Sequence, residues 1–145
     1  MDEKLYFKLN PNIIMQNRKT AIVFLRSGSW MFADSSQFHY YAGYLASGYG
    51  FFTISVDYRL SSEAQFPAGL QDAKCAVRWV RSKSKEYNID PERIVIAGGF
   101  AGGHLSSMMP TTADIPEYEG NGGNSTYPSH VNLGILFNDE FDMWI

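Results

Sequence analysis

The chain contains very little cysteine and no long apolar run. Its 145 residues include one cysteine, Cys75, which excludes an internal disulfide framework. No apolar stretch approaches the roughly 20 residues that a membrane-spanning helix needs. Basic residues are not in excess, since 12 Lys and Arg stand against 15 Asp and Glu. The resulting net charge of -3 argues against a nucleic-acid-binding surface.

Signals for export and for metal binding are also missing. The N-terminal residues 1–4 do not form the cationic start of a secretory signal, so we expect a cytoplasmic protein with no membrane span. The three histidines, His39, His104 and His130, lack the spacing of zinc ligands, and we expect neither a metal nor a cofactor. The length and the 45% apolar content fit a single domain over residues 1–145.

Short apolar runs alternate with helical patterns along the chain. The predicted strands lie at 5–9, 21–25, 51–56, 93–97 and 131–137. Most of these runs are apolar throughout, which is typical of strands that are covered on both faces of a parallel sheet. The alternation of strands and helices predicts an α/β fold, a three-layer αβα sandwich around a mostly parallel sheet.

Three helices separate the predicted strands. The first is expected over 37–47, with Gly48 as its terminating glycine. The second begins near Pro67 and has an apolar stripe, with its Lys and Arg residues off that stripe; the stripe consists of Leu70, Ala73, Ala76, Val77 and Val80. The third starts at Ala101, and Pro110 should stop it early. Residues 112–129 are rich in Gly, Asn and Pro and predict a long surface loop.

A glycine-rich segment follows the strand at 93–97. It is Gly98-Gly99-Phe100-Ala101-Gly102-Gly103-His104-Leu105, placed between a strand and a helix. This layout resembles the nucleophile elbow of α/β-hydrolases, G-x-S-x-G, where a serine sits on a strained turn. The frame of Gly98 and Gly102 is intact, but Phe100 occupies the central position.

Three further segments carry the same resemblance. They are Asp57-Tyr58-Arg59-Leu60 with Phe66-Pro67-Ala68 and Asp72-Ala73, then Tyr87 to Ile94, then Glu117-Tyr118-Glu119-Gly120-Asn121-Gly122-Gly123-Asn124. Together they resemble the hormone-sensitive-lipase-like and BD-FAE-like carboxylesterases. The resemblance implies a carboxylic-ester hydrolase family and a partial α/β-hydrolase fold that lacks the last strands.

The resemblance also assigns the positions of the catalytic machinery. Phe100 stands at the nucleophile position, and Ser27, Gly28 and Ala101 stand at the oxyanion-hole positions. The H-G-G-G-W loop of the family corresponds here to residues 26–30, of which only Gly28 and Trp30 match. A phenyl ring has neither a lone pair nor a proton to lose, so Phe100 cannot form an acyl-enzyme.

The acid and the base of a triad cannot be assigned either. Asp142 aligns with a loop residue that is not the family's triad acid, and neither His104 nor His130 matches the catalytic histidine. One hypothesis is an inactive member, a pseudoenzyme, whose old pocket would take an ester or small apolar ligand. The other is a fragment or altered copy of an active acetyl- or feruloyl-esterase-like enzyme, completed by residues beyond 145 or by a partner chain. If the chain is truncated at 145, the last strand would leave an apolar edge open to homo-oligomerisation.

Overall fold

The computed structural model describes residues 18–113 and 115–137. The predicted strand at 5–9 therefore lies outside the described residues. The elements in chain order are β1 (Lys19–Leu25), a 3₁₀ turn (Ser35–Phe38), α1 (His39–Tyr49), β2 (Phe52–Val56), α2 (Ala68–Ser82), β3 (Ile89–Gly99), α3 (Ala101–Thr111), the one-turn α4 (Pro116–Glu119) and β4 (Leu133–Phe137). Across the described residues, no helix is long and apolar enough to cross a bilayer.

The four strands form one parallel sheet in the order β2-β1-β3-β4. β1 lies inside the sheet, and its side chains are buried on both faces. Ala21, Val23 and Leu25 face one core cluster, whereas Ile22 and Phe24 face the other. This two-sided burial is the reason that the sequence of β1 is apolar without alternation. The predicted α/β architecture with a parallel sheet is confirmed.

Helices cover both faces of the sheet and complete the three predicted layers. α2 and α3 pack on one face through the stripe residues Leu70, Val77 and Val80 and through Leu105 and Met109 of α3. On the opposite face lie the 3₁₀ turn and α1, whose Phe38 and Ala42 contact the second cluster. This arrangement leaves the carboxyl ends of β1 and β3 at the same edge, next to the start of α3.

Several element boundaries differ from those expected. The first helix begins at His39 after the 3₁₀ turn and ends at Tyr49. Gly50 caps it in the left-handed conformation with φ 72°, so Gly48 is inside the helix rather than at its end. β3 is longer than 93–97 because its first residues pair with β1 across a register shift near Lys19. β4 begins at Leu133, two residues later than predicted. α3 ends one residue beyond Pro110.

The cations of α2 are buried, contrary to their predicted position off the packed stripe. Lys74, Arg78 and Arg81 are at most 3% exposed. They face the segment 112–132, which lies against α2 and therefore is not the free surface loop that its composition predicted. Arg81 donates hydrogen bonds to the carbonyls of Pro91, Pro128 and His130. It therefore joins the first residues of β3 to the last part of the segment 112–132, a contact that the composition does not predict.

Glu119 is the anion at the centre of this contact. Its carboxylate accepts hydrogen bonds from Lys74 Nζ at 2.7 Å, from Arg78 Nη1 at 2.9 Å and from Ser129 Oγ at 2.7 Å. Partial burial by itself raises the pKa of Glu119, but the hydrogen bonds from Lys74 and Ser129 and the nearby cationic charges outweigh it and hold this pKa below its usual value of 4.5. The ionised form of Glu119 is therefore the one that the fold stabilises.

We predict that Glu119→Gln lowers the free energy of unfolding at pH 7, because it leaves two buried cations without their counter-charge. The expected loss is about 2 kcal/mol, below the cost for a fully buried pair, because 30% of the Glu119 side chain remains exposed. Urea denaturation of the full chain measures it. Glu117→Gln, at an exposed side chain of the same one-turn helix, is the matched control and should change stability little.

The lowered pKa of Glu119 also predicts how the stability difference between the wild type and Glu119→Gln changes with pH. The folded pKa of Glu119 is depressed, so its contribution is fully present above the unfolded value near 4.5 and is lost as the pH falls through the folded value. The stability difference between the wild type and Glu119→Gln should therefore shrink below pH 4.5 and stay constant above about pH 6. A difference that persists unchanged at pH 3 would contradict the electrostatic explanation.

β4 exposes apolar side chains at one edge of the described sheet. Leu133, Ile135 and Phe137 are in register with Val95, Ala97 and Gly99 of β3, so they lie on the face that α1 covers only in part. Their exposed fractions are 56%, 36% and 49%. An apolar edge strand with unpaired backbone groups is a surface on which another strand can add.

We predict that the full chain self-associates through this edge. Sedimentation velocity at about 50 µM should show species larger than a monomer, and Ile135→Lys should shift the distribution toward the monomer because a lysine opposes strand addition. Ser62→Lys places the same charge on an exposed turn and serves as the control. A monodisperse wild-type monomer would contradict this prediction.

Candidate functional site

Phe100 occupies the tip of a sharp turn between β3 and α3. Its backbone has φ 49° and ψ -117°, a left-handed conformation that bulky residues rarely adopt. The Phe100 N–H donates to the carbonyl of Phe137 at 3.0 Å, and its carbonyl accepts from the His104 N–H at 2.8 Å. The phenyl ring is 49% exposed. The turn thus presents its central side chain outward from the carboxyl edge of the sheet.

Two glycines make this turn possible by allowing backbones to touch. A Cβ atom on Gly98 would overlap the backbone of Gly102, and a Cβ atom on Gly102 would overlap the carbonyls of Leu25 and Arg26. The first turn of α3 therefore lies directly on the carboxyl end of β1. This contact brings the residues after β1 next to Phe100.

The positions assigned to the oxyanion hole meet at this edge. Ser27 lies beside the turn, because a Cβ atom on Gly99 would be 3.1 Å from its Oγ. The Ser27 N–H already donates to Gln37 Oε1 at 2.7 Å. Ala101 is the first residue of α3, where backbone N–H groups have no acceptor within the helix. The site thus has a helix N-terminus beside Ser27, whose backbone N–H already donates to Gln37.

Gly28 shapes the loop that follows Ser27. It has φ 98°, and its carbonyl accepts the N–H groups of Met31 at 2.9 Å and Phe32 at 3.1 Å. The next two residues, Ser29 and Trp30, also have positive φ values of 50° and 59°. These are conformations that glycine adopts without strain, which agrees with the glycines that the resemblance placed in this loop.

Arg26 is a buried cation at the end of β1. Its Nε donates to Asp57 Oδ1 at 3.1 Å, a second nitrogen donates to the Tyr58 carbonyl, and the guanidinium lies 4.2 Å from the centroid of the Tyr58 ring. The Tyr58 hydroxyl donates to the Arg26 carbonyl at 3.0 Å, and burial raises the pKa of this phenol. Arg26 and Tyr58 thus join the loop after β1 to the loop after β2.

The histidines do not gather around Phe100. The His104 ring lies edge-on to Trp30 with ring centroids 5.5 Å apart, and its Nδ1 is buried without a hydrogen-bond partner. His130 Nε2 lies 3.8 Å from Glu92 Oε2, near the amino end of β3, and Glu92 precedes Phe100 by eight residues. His39 is exposed at the start of α1. Asp142 lies outside the described residues.

The chemistry available at this edge follows from these positions. The outward side chain at the turn is a phenyl group, the His104 ring packs on Trp30, and His130 lies near Glu92. No group of three His, Cys, Asp or Glu residues within 18–113 and 115–137 is placed to hold a metal ion. What the arrangement offers is a strained turn, a helix N-terminus and neighbouring apolar surface.

Two contacts that shape the site are not predicted from the sequence. Gln37 was expected only as the start of a helix, yet it caps the Ser27 N–H across ten residues. Arg26 was expected as a loop residue, yet it is 3% exposed. Neither contact has a local signal, because both depend on where the sheet brings separate loops together. Asp72, a residue of a motif that carries the resemblance, accepts a hydrogen bond from the Arg59 N–H at 2.8 Å.

The comparisons with known proteins agree with this geometry. The BD-FAE family model matches residues 10–137. The carboxylesterase NlhH of Mycobacterium tuberculosis is 34% identical over 100 residues, which cover 69% of this chain and 31% of that protein. Esterase LipC of the same organism is 30% identical over 98 residues, 68% of this chain and 24% of that protein. The chain thus spans about a third or less of the curated relatives it matches.

Solved structures of an esterase also match this chain in fold and in sequence. Esterase 2 of Thermogutta terrifontis with bound propionate superposes with a TM-score of 0.75 at 37% identity, over 84% of this chain and 44% of that one. The same esterase phosphorylated by paraoxon superposes with a TM-score of 0.73 at 36% identity, over 92% of this chain and 49% of that one. The four-stranded sheet, the turn at Phe100 and the family match lead to one conclusion: this chain belongs to the BD-FAE family of α/β-hydrolase carboxylesterases.

Proposed function

We propose that this chain is a carboxylesterase-family protein that does not hydrolyse esters. The observation that carries the proposal is Phe100, whose phenyl ring stands outward at the tip of the turn where the family's serine is expected. Ester hydrolysis by this mechanism needs an oxygen that attacks the carbonyl and a base that removes its proton. Loss of the serine in a comparable triad lowers kcat by a factor of ~10⁶.

The surroundings of Phe100 support the same proposal. The Ser27 N–H, one expected oxyanion donor, is bound by Gln37 at 2.7 Å and so is not free for a developing oxyanion. His104 packs against Trp30, and His130 pairs with Glu92 at the other end of β3. We therefore expect that neither histidine acts as a base for a serine restored at position 100.

The alternative is an altered copy of an active esterase, completed by residues beyond 145 or by a partner chain. The conformation of Phe100 favours it in one respect, because φ 49° and ψ -117° preserve the strained turn on which a serine would be presented. Phe100 itself still has to be replaced for this alternative to act as a hydrolase, since no downstream residue supplies the missing nucleophile.

We predict that hydrolysis of p-nitrophenyl acetate by the wild type does not exceed that of Phe100→Ala. Phe100→Ser should remain at the same background, because a serine without a base is a weak nucleophile. Initial rates with purified full chain measure all three proteins. The Phe100→Ala variant removes the ring without adding a nucleophile and so controls for changes in the shape of the turn.

The outcomes separate the two candidate functions. Turnover by the wild type above the Phe100→Ala rate would contradict the proposed loss of hydrolysis. Turnover by Phe100→Ser alone would favour the altered esterase, since it would show that an acid and a base are in place and only the nucleophile is missing.

A further inference from the structure

A cavity of about 200 Å³ lies behind the turn, on the α2 and α3 side of the sheet. It is bounded by the loop after β2, the start of α2, the first turns of α3 and the loop after β1. Its lining includes Trp30, Arg59, Ala64, Phe66, Leu70 and His104. Phe100 does not line this cavity, so an occupant there would be separate from the outward-facing phenyl ring.

The walls of the cavity are apolar and partly aromatic. Leu70 and Leu105 are almost fully buried and form part of the lining, and Trp30 contributes an indole ring. Phe66 lies at the margin, 60% exposed, with its ring centroid 5.8 Å from that of Tyr118. Surfaces of this kind bind flat hydrocarbon groups because both partners leave water.

The polar groups of the lining do not favour an ion. Among the described residues that line the cavity, Arg59 is the one with a permanent charge, and its guanidinium is paired with Asp72 through contacts of 2.8 Å and 2.9 Å. The charge is therefore already balanced, and an anionic ligand would have to compete with a bidentate carboxylate. A neutral ligand does not have to compete with the Asp72 carboxylate for Arg59.

His104 supplies the unmatched hydrogen-bonding group. Neither nitrogen of its ring has a hydrogen-bond partner among the described residues, and Nδ1 is shielded from solvent, so Nε2 is the nitrogen that a ligand can reach. The His104 side chain is half-buried, and its Nε2 has no hydrogen-bond partner among the described residues. A hydroxyl on the occupant can hydrogen-bond to Nε2, whereas it does not reach Nδ1.

The size of the cavity limits the occupant. A buried water needs several polar partners and about 30 Å³, whereas this cavity is several times larger and mainly apolar. An engineered apolar cavity of about 150 Å³ is known to hold benzene. We propose that this cavity binds a small neutral aromatic molecule with one hydroxyl group, of the phenol class, whose hydroxyl pairs with His104.

The inference is independent of whether the chain hydrolyses esters, since it concerns a different surface and a different measurement. Ester turnover by Phe100→Ser would change the proposed function and leave this site untouched. Absence of phenol binding would remove this site and leave the assignment of Phe100 untouched.

Ligand-observed saturation-transfer NMR on the full chain, with phenol and with toluene as probes, tests the site. The wild type should bind phenol about five-fold more tightly than toluene, as one additional hydrogen bond predicts. His104→Phe keeps a ring in place but removes both nitrogens, and it should bind the two probes equally. Ala64→Leu places a larger side chain in the cavity and should weaken both probes.

Ala46→Leu, at an exposed position on α1, is the matched control for Ala64→Leu and should bind both probes as the wild type does. Circular dichroism of each variant checks that it is folded. Saturation transfer to neither probe in the wild type would overturn the proposal and would indicate that another part of the chain fills the cavity. Equal weakening by Ala46→Leu, or an unchanged phenol preference in His104→Phe, would overturn it as well.

Discussion

The contact between the first turn of α3 and the carboxyl end of β1 is the constraint on which the site depends. Gly102 lies against the carbonyls of Leu25 and Arg26, and Gly98 lies against Gly102, so neither position accepts a Cβ atom without displacing backbone. This approach fixes the turn that holds Phe100 and sets Ser27 beside it. The side chain at position 100 points outward and takes no part in this contact, whereas a Cβ atom at Gly98 or Gly102 would overlap backbone.

A second constraint holds the long segment between α3 and β4 in place. Glu119 is bonded by Lys74, Arg78 and Ser129, and Arg81 binds three carbonyls around the same segment. Breaking a buried ion pair costs more than its formation contributes, so the carboxylate and its cations depend on one another. The segment between α3 and β4 is therefore fixed against α2, and the turn is held on its other side by the contact with β1.

The sequence predicted the class of fold and its order of elements, because burial on both faces leaves a continuous apolar signature in β1 and an amphipathic stripe in α2. It did not predict the burial of Lys74, Arg78 and Arg81. Lys74 and Arg78 are bonded to Glu119, which lies more than forty residues away in the chain. The hydrogen bond from the Ser27 N–H to Gln37 Oε1 was not predicted either, because it also depends on how the fold brings separate segments together. Local patterns report which residues are apolar, and they do not report which loops the sheet brings together.

The central claim is that the turn at Phe100 holds the shape of an esterase site without its nucleophile. Intact-protein mass spectrometry after incubation of the full chain with paraoxon tests this most directly, because this reagent phosphorylates an esterase of the matched fold. We expect the unmodified mass, since a phenyl ring cannot displace the leaving group. One stoichiometric phosphoryl adduct, mapped by peptide analysis to a serine such as Ser27, Ser106 or Ser107, would contradict the account.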